Sequence, residues 1–325
     1  MKKTFLTLGG LIVLVALAAG LILLRIRLDP VPLLAFVSCL ALVLTALVGL
    51  TLPGLVRQLR QHAVASPWAA LGMPLLLLVP YLVFAFGSGT FSFPALGKLA
   101  AYIAVPIVLL LPDRLHRAER VGWRDLAAML ALALPVSAGW LEGIWIWPYE
   151  LYFFSPLFCV CVGAYAFLVI RNLEGVGYRL TFRKGDVVDG LVNFAGFALI
   201  GIPLGLFLGF LQFRPHGVSA ADFAFQLFGT YLTIAIPEEL LFRGILQNLL
   251  VKSIRSGPRD LYGLLLASVV FGASHLHHLP VPNWKYAVLA ALAGLFYGNA
   301  YRTRQRLSAP ALTHALVDTV WHFWF

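Results

Sequence analysis

Long apolar runs dominate the chain, and most of them are long enough to cross a lipid bilayer as helices. A bilayer core of about 30 Å requires roughly 20 apolar residues in one helix. Runs of this kind predict eleven spans, at 4–24, 31–56, 67–87, 94–111, 126–147, 151–170, 187–212, 221–250, 260–279, 284–301 and 307–325. The pattern therefore predicts an all-α fold, a polytopic transmembrane helical bundle.

The composition supports a membrane protein and excludes several other classes. Of the 325 residues, 61% are hydrophobic and 12% are charged, and the mean hydropathy is +0.89. An average soluble domain has about a quarter charged residues, so this chain has too few to cover a water-facing surface. The apolar content excludes a disordered protein. Three cysteines, Cys39, Cys159 and Cys161, are too few to hold a disulfide scaffold of this length.

The basic residues predict the orientation of the spans. With the N-terminus in the cytoplasm, the outer loops hold Arg25, Arg27, Arg214 and Lys285, and two cations, Lys98 and Arg243, lie within spans. The remaining eighteen of the 24 Lys and Arg fall in inner loops, as the positive-inside rule requires. The net charge of +10 is therefore explained by topology, and we expect a lipid bilayer as partner and no nucleic acid.

A polar loop at 171–186 divides the predicted spans into two regions. Residues 1–186 form an N-terminal transmembrane region of about six spans, to which we assign no function. Residues 187–325 form a C-terminal transmembrane domain that holds most of the ionisable residues within spans. Near the end of the fifth span, Trp140, Trp145, Trp147 and Tyr149 are interpreted as an interfacial aromatic belt.

Three segments of the C-terminal domain carry ionisable side chains at membrane depth. They are Ile236–Arg243, Phe271–His275 and His314–Asp318. Because a charge in the hydrocarbon costs several kcal/mol, such residues are functional candidates by default. Structural explanations also exist: a membrane-embedded histidine can simply hydrogen-bond a neighbouring helix.

The first segment predicts two different roles for two adjacent glutamates. Glu239 and Arg243 are four residues apart, so they share a helix face and can form an ion pair. Glu238 is rotated by about 100° from Glu239 and points towards another helix. We therefore interpret Glu239 and Arg243 as a supporting pair and Glu238 as the carboxylate that remains for chemistry.

The other two segments place histidines where they can reach Glu238. His314 and Asp318 are again four residues apart. In a purely structural interpretation, the carboxylate of Asp318 fixes the tautomer of a buried histidine. Along their helices, Glu238 lies roughly 21 Å from Lys252 and His275 roughly 22 Å from Asp260. We expect Glu238 to face both imidazoles in one pocket.

One unpaired glutamate, two histidines and an aspartate can activate water. The glutamate would take a proton from water, and the histidines would hold that water and donate to the oxyanion formed on a peptide carbonyl. Glu238, His275 and His314 also match a two-His, one-Glu set for a divalent metal such as zinc. The residues leave metal-free and metal-assisted hydrolysis open.

The three motifs resemble those of the CPBP family, which comprises CAAX proteases, Abi proteins and lysostaphin resistance protein A-like proteins. The family pattern of EExxxR, FxxxH and HxxxN or HxxxD appears here as Glu238-Glu239…Arg243, Phe271…His275 and His314…Asp318. This resemblance covers about 187–325. It implies an intramembrane endopeptidase of the CAAX glutamic type, which acts on a membrane-anchored protein or peptide.

The resemblance also implies roles for the individual residues. Glu238 would be the general base, His275 would assist it, and His314 with Asp318 would position the water or stabilise the oxyanion. The CAAX endoproteases carry an asparagine where this chain has Asp318. The additional negative charge favours a metal-binding or histidine-orienting role at that position. The family places the protein in the cell membrane, the inner or plasma membrane, as an integral protein.

Two other functions are compatible with the same residues. In a proton-coupled transporter, Glu238, Asp318 and the histidines would form a proton relay. In a non-catalytic immunity protein, the fold would remain without the activity. A zinc protease with an HExxH motif is excluded because the sequence contains none.

Overall fold

The computed structural model describes residues 29–215 and 217–325, and every regular element within them is a helix. The all-α prediction is therefore confirmed for this part of the chain. The predicted first span, 4–24, lies outside the described residues. The helices divide into two compact units, which are described separately below.

The first unit comprises residues 29–117 and 122–172 of the described chain. Its helices are α1 (Pro30–Gly49), α2 (Pro53–Ala65), α3 (Pro67–Gly72), α4 (Leu78–Ser88), α5 (Phe93–Leu110), α6 (Trp123–Ser137) and α7 (Phe154–Ala164), which continues as a π-helix over Tyr165–Ile170. Prolines occupy the first turn of α1, α2, α3 and α5. Proline is well suited to that position, because a backbone N–H in the first turn has no acceptor within the helix and its absence costs no hydrogen bond.

The aromatic belt prediction is wrong for Trp145. Helix α6 ends at Ser137 and not near 147, because Gly139 and Gly143 adopt positive φ angles of 68° and 78°, which favour glycine. The chain then turns back, so Trp145 is 1% exposed and stacks on Phe154 with ring centroids 4.5 Å apart. Trp140 and Tyr149 do remain exposed.

The second unit comprises residues 118–121 and 173–325. It contains α8 (Lys184–Phe207), α9 (Ala220–Thr230), α10 (Ile236–Glu239), α11 (Asn248–Ser253), α12 (Arg259–Ala273), α13 (Trp284–Arg304) and α14 (Ser308–Trp324). Two π-helical segments, Tyr231–Ala235 and Leu240–Gln247, join α9 to α10 and α10 to α11. The chain is therefore helical without interruption from Ala220 to Ser253.

Small residues allow the helices of the second unit to approach each other closely. A Cβ placed on Gly294 of α13 would come within 3.1 Å of the Cα of Ser268 on α12. A Cβ on Gly272 of α12 would lie 2.5 Å from the carbonyl oxygen of Ala287 on α13. Close packing of this kind is characteristic of membrane helices, whose association depends on van der Waals contact and not on the hydrophobic effect.

A buried aspartate fixes the start of α14 against the start of α8. Asp186 accepts hydrogen bonds from Arg306 Nε at 2.9 Å, Ser308 Oγ at 3.1 Å and the backbone N–H of Arg183 at 2.8 Å. It thereby also satisfies a free N–H at the beginning of α8. This junction sets the position of the helix that carries His314.

Within the described chain, four helical stretches are long and apolar enough to cross a membrane: Pro30–Gly49, Pro67–Ser88, Phe93–Asp113 and Lys184–Phe207. The second joins α3 to α4 through a 3₁₀ turn at Pro74–Leu77, and the third extends α5 by a 3₁₀ turn at Leu111–Asp113. A shorter apolar helix covers Phe154–Ile170. The protein is accordingly an integral membrane protein. The count of eleven spans, the cytoplasmic N-terminus and the domain boundary at 186/187 stay predictions.

Candidate active site

The predicted ion pair between Glu239 and Arg243 is present and buried. Arg243 Nε lies 3.2 Å from Glu239 Oε2, and the exposed fractions of the two side chains are 1% and 0%. The guanidinium also donates through Nη2 to the carbonyl oxygen of Gly294 at 3.4 Å. Its carbon lies 4.3 Å from the ring centroid of Phe271 and 5.2 Å from that of Tyr297, so cation–π contacts stabilise the charge further.

Glu239 has a second partner that the sequence did not reveal. Its Oε1 accepts a hydrogen bond from His314 Nδ1 at 2.9 Å. The carboxylate therefore bridges Arg243 and His314 and has no oxygen left for a substrate. This contact also determines the orientation of the imidazole, because the partner of one ring nitrogen fixes the direction of the other.

The other nitrogen of His314 faces two more carboxyl groups. Its Nε2 lies 3.4 Å from Asp318 Oδ2 and 3.9 Å from Glu238 Oε2. The predicted contact between residues 314 and 318 on one helix face is thus present. Three of the four predicted catalytic residues, Glu238, His314 and Asp318, meet around one ring nitrogen.

Glu238 differs from its neighbour in both partners and exposure. Its side chain is 35% exposed, whereas that of Glu239 is fully buried. Glu238 Oε2 itself is buried and makes no hydrogen bond within the part of the chain that the structure describes. The structure therefore separates the two glutamates as the sequence suggested, into one engaged in an ion pair and one free to bind a substrate or water.

His275 lies just beyond the end of α12 and reaches the site from a different direction. Its Nδ1 is 2.7 Å from the carbonyl oxygen of Phe271 and 3.3 Å from Ser274 Oγ. The hydrogen bonds of His275 thus go to its own helix end, and the expected pairing of Glu238 with two imidazoles is seen only for His314. His275 lines the same cleft as His314 and Asp318.

Two aromatic residues of α13 contribute to the site although no motif contains them. The ring of Tyr297 is stacked on His314, with centroids 4.6 Å apart and an interplanar angle of 17°. The ring of Tyr286 meets His275 edge to face at 4.6 Å. A signal for both was available: they are eleven residues apart, about three turns of one helix, and so share a face.

A partly open cleft adjoins the histidines. It extends between α8, α13 and α14, and its walls include Phe197 and Ala198 of α8, Ala293 of α13 and Trp321 of α14. His275, His314 and Asp318 supply the polar part of the lining. An apolar cleft with a few converging polar groups is the usual form of a binding site.

The predicted metal site is not formed. Among residues 29–215 and 217–325, no three His, Cys, Asp or Glu side chains are placed to hold a metal ion. The Nδ1 atoms of His314 and His275 are bound to Glu239 and to the Phe271 carbonyl, which leaves only their Nε2 atoms for a ligand. We derive no step through a metal.

The π-helical segments lie directly on both sides of Glu238 and Glu239. Tyr231–Ala235 precedes the short α10, and Leu240–Gln247 follows it and contains Arg243. Wide turns of this kind are rare in proteins and occur frequently at functional sites. The sequence predicted an ordinary helix at 221–250, and nothing in the hydrophobic pattern indicates the wider turns.

Comparison with known proteins agrees with the three motifs. Residues 220–320 match the family described as Type II CAAX prenyl endopeptidase Rce1-like, which confirms the resemblance to CAAX proteases. YpbD of Bacillus subtilis (strain 168), named as an uncharacterized protein, is 30% identical over 89 residues. The matched stretch is 27% of this chain and 40% of YpbD, so the chain spans about two fifths of that relative's length. No solved structure matches the chain.

Proposed function

We propose that this protein, whose residues 220–320 match the Type II CAAX prenyl endopeptidase Rce1-like family, is an intramembrane endopeptidase. Its substrate would be a membrane-anchored protein or peptide whose scissile bond enters the cleft beside His314. The cell membrane is the proposed location. The activity would be hydrolysis of a peptide bond by water, with side chains of α10, α12 and α14 as the reacting groups.

Glu238 is the proposed general base. Its side chain is 35% exposed and lies beside His314, so water can reach it, whereas Glu239 is occupied by Arg243 and His314. A carboxylate held without a cation of its own in an apolar environment accepts a proton readily. Glu238 would take one proton from water while the oxygen attacks the carbonyl carbon of the substrate.

His314 and Asp318 are proposed to act on the same reacting atoms. The Nε2 of His314 points towards Glu238 and Asp318, so a water held by Glu238 would lie within its reach. His275, which lines the same cleft, would accept a hydrogen bond from the attacking water through Nε2, because its Nδ1 donates to the carbonyl oxygen of Phe271. When the carbon–nitrogen bond breaks, the proton taken by Glu238 would pass to the leaving amine, which balances the reaction.

The observation that carries this proposal is the difference between two adjacent glutamates. An ion pair alone would explain Glu239 and Arg243. It does not explain a second, 35% exposed carboxylate whose Oε2 makes no hydrogen bond in the described part of the chain and lies 3.9 Å from His314 Nε2. A carboxylate at membrane depth is costly, so its position beside His314 supports a chemical role.

The experiment that tests this proposal compares cells expressing the wild-type protein with cells expressing Glu238→Gln. New peptide termini in the membrane fraction would be quantified by mass spectrometry. The matched control is Glu119→Gln, which removes an exposed carboxylate between α5 and α6. We expect termini that appear with the wild type and the control and are lost with Glu238→Gln.

Two results would contradict the proposal. Termini that persist unchanged with a stably expressed Glu238→Gln protein would exclude Glu238 as the base. A wild-type protein that produces no termini but carries a solute-dependent proton current would instead support the transporter. Absence of both activities would favour a non-catalytic immunity protein.

A further inference from the structure

Helix α13 carries none of the three motifs, yet it supplies an aromatic ring to each histidine of the site. Tyr286 contacts His275 and Tyr297 contacts His314, in both cases with ring centroids 4.6 Å apart. The two contacts differ in geometry, because the first is edge to face and the second is nearly parallel. The parallel contact is the one that can restrain the plane of an imidazole.

Tyr297 is held rigidly in a buried cluster. It is 2% exposed, its ring lies 5.2 Å from the Arg243 guanidinium carbon, and Phe271 meets it edge to face at 5.9 Å. Phe271 also meets His314 nearly perpendicularly at 5.9 Å. The imidazole of His314 is therefore confined by Tyr297 along its face and by Phe271 from the edge-to-face direction.

The restraint on His314 needs this second contact. The hydrogen bond from Nδ1 to Glu239 sets the direction of the ring, but the plane of the ring can still tilt within the angles that a hydrogen bond tolerates. The stacked face of Tyr297 limits this tilt. Nε2 is thereby kept directed at Glu238 and Asp318, at 3.9 and 3.4 Å.

We infer that Tyr297 is a positioning residue for the hydrolysis proposed above, and that it acts by holding the plane of the His314 ring. This inference rests on the proposed function for its catalytic consequence, while the restraint on His314 can be tested separately. The effect belongs to the aromatic face of Tyr297 and not to its hydroxyl group.

The first test measures peptide cleavage by the purified full-length protein, with a peptide substrate identified by the terminus mapping described above. Tyr297→Leu removes the flat face and should lower kcat by about tenfold or more, because small displacements of a catalytic group are costly. Because Tyr297 also lines the cleft, KM should rise less than kcat falls, and the pH profile of kcat should broaden or shift. Tyr297→Phe keeps the face and should retain nearly full kcat.

The matched control is Tyr301→Leu. Tyr301 is also buried on α13, but its hydroxyl donates to the carbonyl oxygen of Gly175, away from both histidines. We expect this variant to lose thermal stability without a change in kcat per folded molecule. An equal loss of kcat in Tyr301→Leu, or a failure of Tyr297→Phe to restore kcat, would overturn the inference.

A second test does not depend on proteolysis. Diethyl pyrocarbonate modifies accessible histidines, and peptide mapping would give the rate at His314, with the exposed His277 as internal reference. We expect faster modification of His314 relative to His277 in Tyr297→Leu, and the wild-type rate in Tyr297→Phe and Tyr301→Leu. An unchanged rate in Tyr297→Leu would overturn the restraint even if cleavage is observed. A changed rate with no cleavage by the wild type would support the restraint and reject the proposed function.

Discussion

His314 and Glu239 are 75 residues apart in sequence and are joined by a hydrogen bond of 2.9 Å between two buried side chains. The contact connects α14 to the glutamate pair and makes Glu239 a shared partner of Arg243 and His314. The two adjacent glutamates therefore differ in their contacts: Glu239 is buried between Arg243 and His314, and Glu238 keeps a partly exposed side chain beside His314.

Glu239→Gln is expected to affect stability far more than Glu238→Gln. Removing the charge of Glu239 leaves the buried Arg243 guanidinium without its counter-ion, which should lower the free energy of unfolding by about 3–5 kcal/mol. Glu238→Gln removes no ion pair with a Lys or Arg and should change it by about 0.5 kcal/mol or less. Thermal unfolding of both proteins in the same detergent measures the difference. Equal destabilisation would contradict the division of roles between the glutamates.

Asp318→Asn should reduce cleavage only moderately. An asparagine oxygen can still accept from His314 Nε2, although a hydrogen bond to a charged group is roughly twice as strong as a neutral one. We expect a loss of less than about tenfold for Asp318→Asn and about 100-fold for Asp318→Ala, because groups that orient a histidine contribute up to about that factor. Initial cleavage rates of the two variants would decide. Full activity of Asp318→Ala would show that the aspartate does not orient His314.

His275→Ala should impair the chemical step and leave substrate binding intact. If His275 Nε2 accepts from the attacking water, its removal should lower kcat by about 100-fold. The control is His277→Ala, since His277 is exposed and its Nδ1 bonds to the carbonyl oxygen of Ser274, outside the cleft. Steady-state kinetics would separate kcat from KM. A rise in KM alone would assign His275 to binding.

Filling the cleft should weaken substrate binding without altering the reacting groups. Ala198 lines the cleft on α8, whereas the adjacent Leu199 is 78% exposed. Ala198→Trp should raise KM by about tenfold, a change of about 1.4 kcal/mol, at nearly constant kcat. Leu199→Trp, which adds the same ring type outside the cleft, should change neither parameter. Comparable KM values for the two variants would place the substrate elsewhere.

The sequence predicted those parts of the site that depend on spacing within one helix. The Glu239–Arg243 and His314–Asp318 contacts follow from the helical repeat, and Glu238 is set apart by its rotation from Glu239. The contact of His314 with Glu239 could not be predicted in this way, because it depends on how two helices pack. The contact of Tyr297 with His314 also depends on helix packing, although the spacing of Tyr286 and Tyr297 did indicate that the two rings share a helix face.

In the first unit, the wrong prediction of an interfacial position for Trp145 has a similar cause. The tryptophans after α6 fit an interfacial belt by composition alone, yet two glycines with positive φ turn the chain and bury Trp145 against Phe154. Apolar residues such as tryptophan suit both a membrane boundary and a protein core. Only the path of the chain decides between them, and hydrophobicity does not encode that path.

The wide turns of Leu240–Gln247 also change how length variation in this segment should be understood. Loss of a single residue from an ordinary α-helix turns the faces beyond it by about 100°. Here the same loss converts a wide turn to an α-turn, so the residues beyond it keep their direction relative to the glutamates. A one-residue deletion between Arg243 and Gln247 therefore leaves both the Glu239–Arg243 pair and the direction of α11 in place.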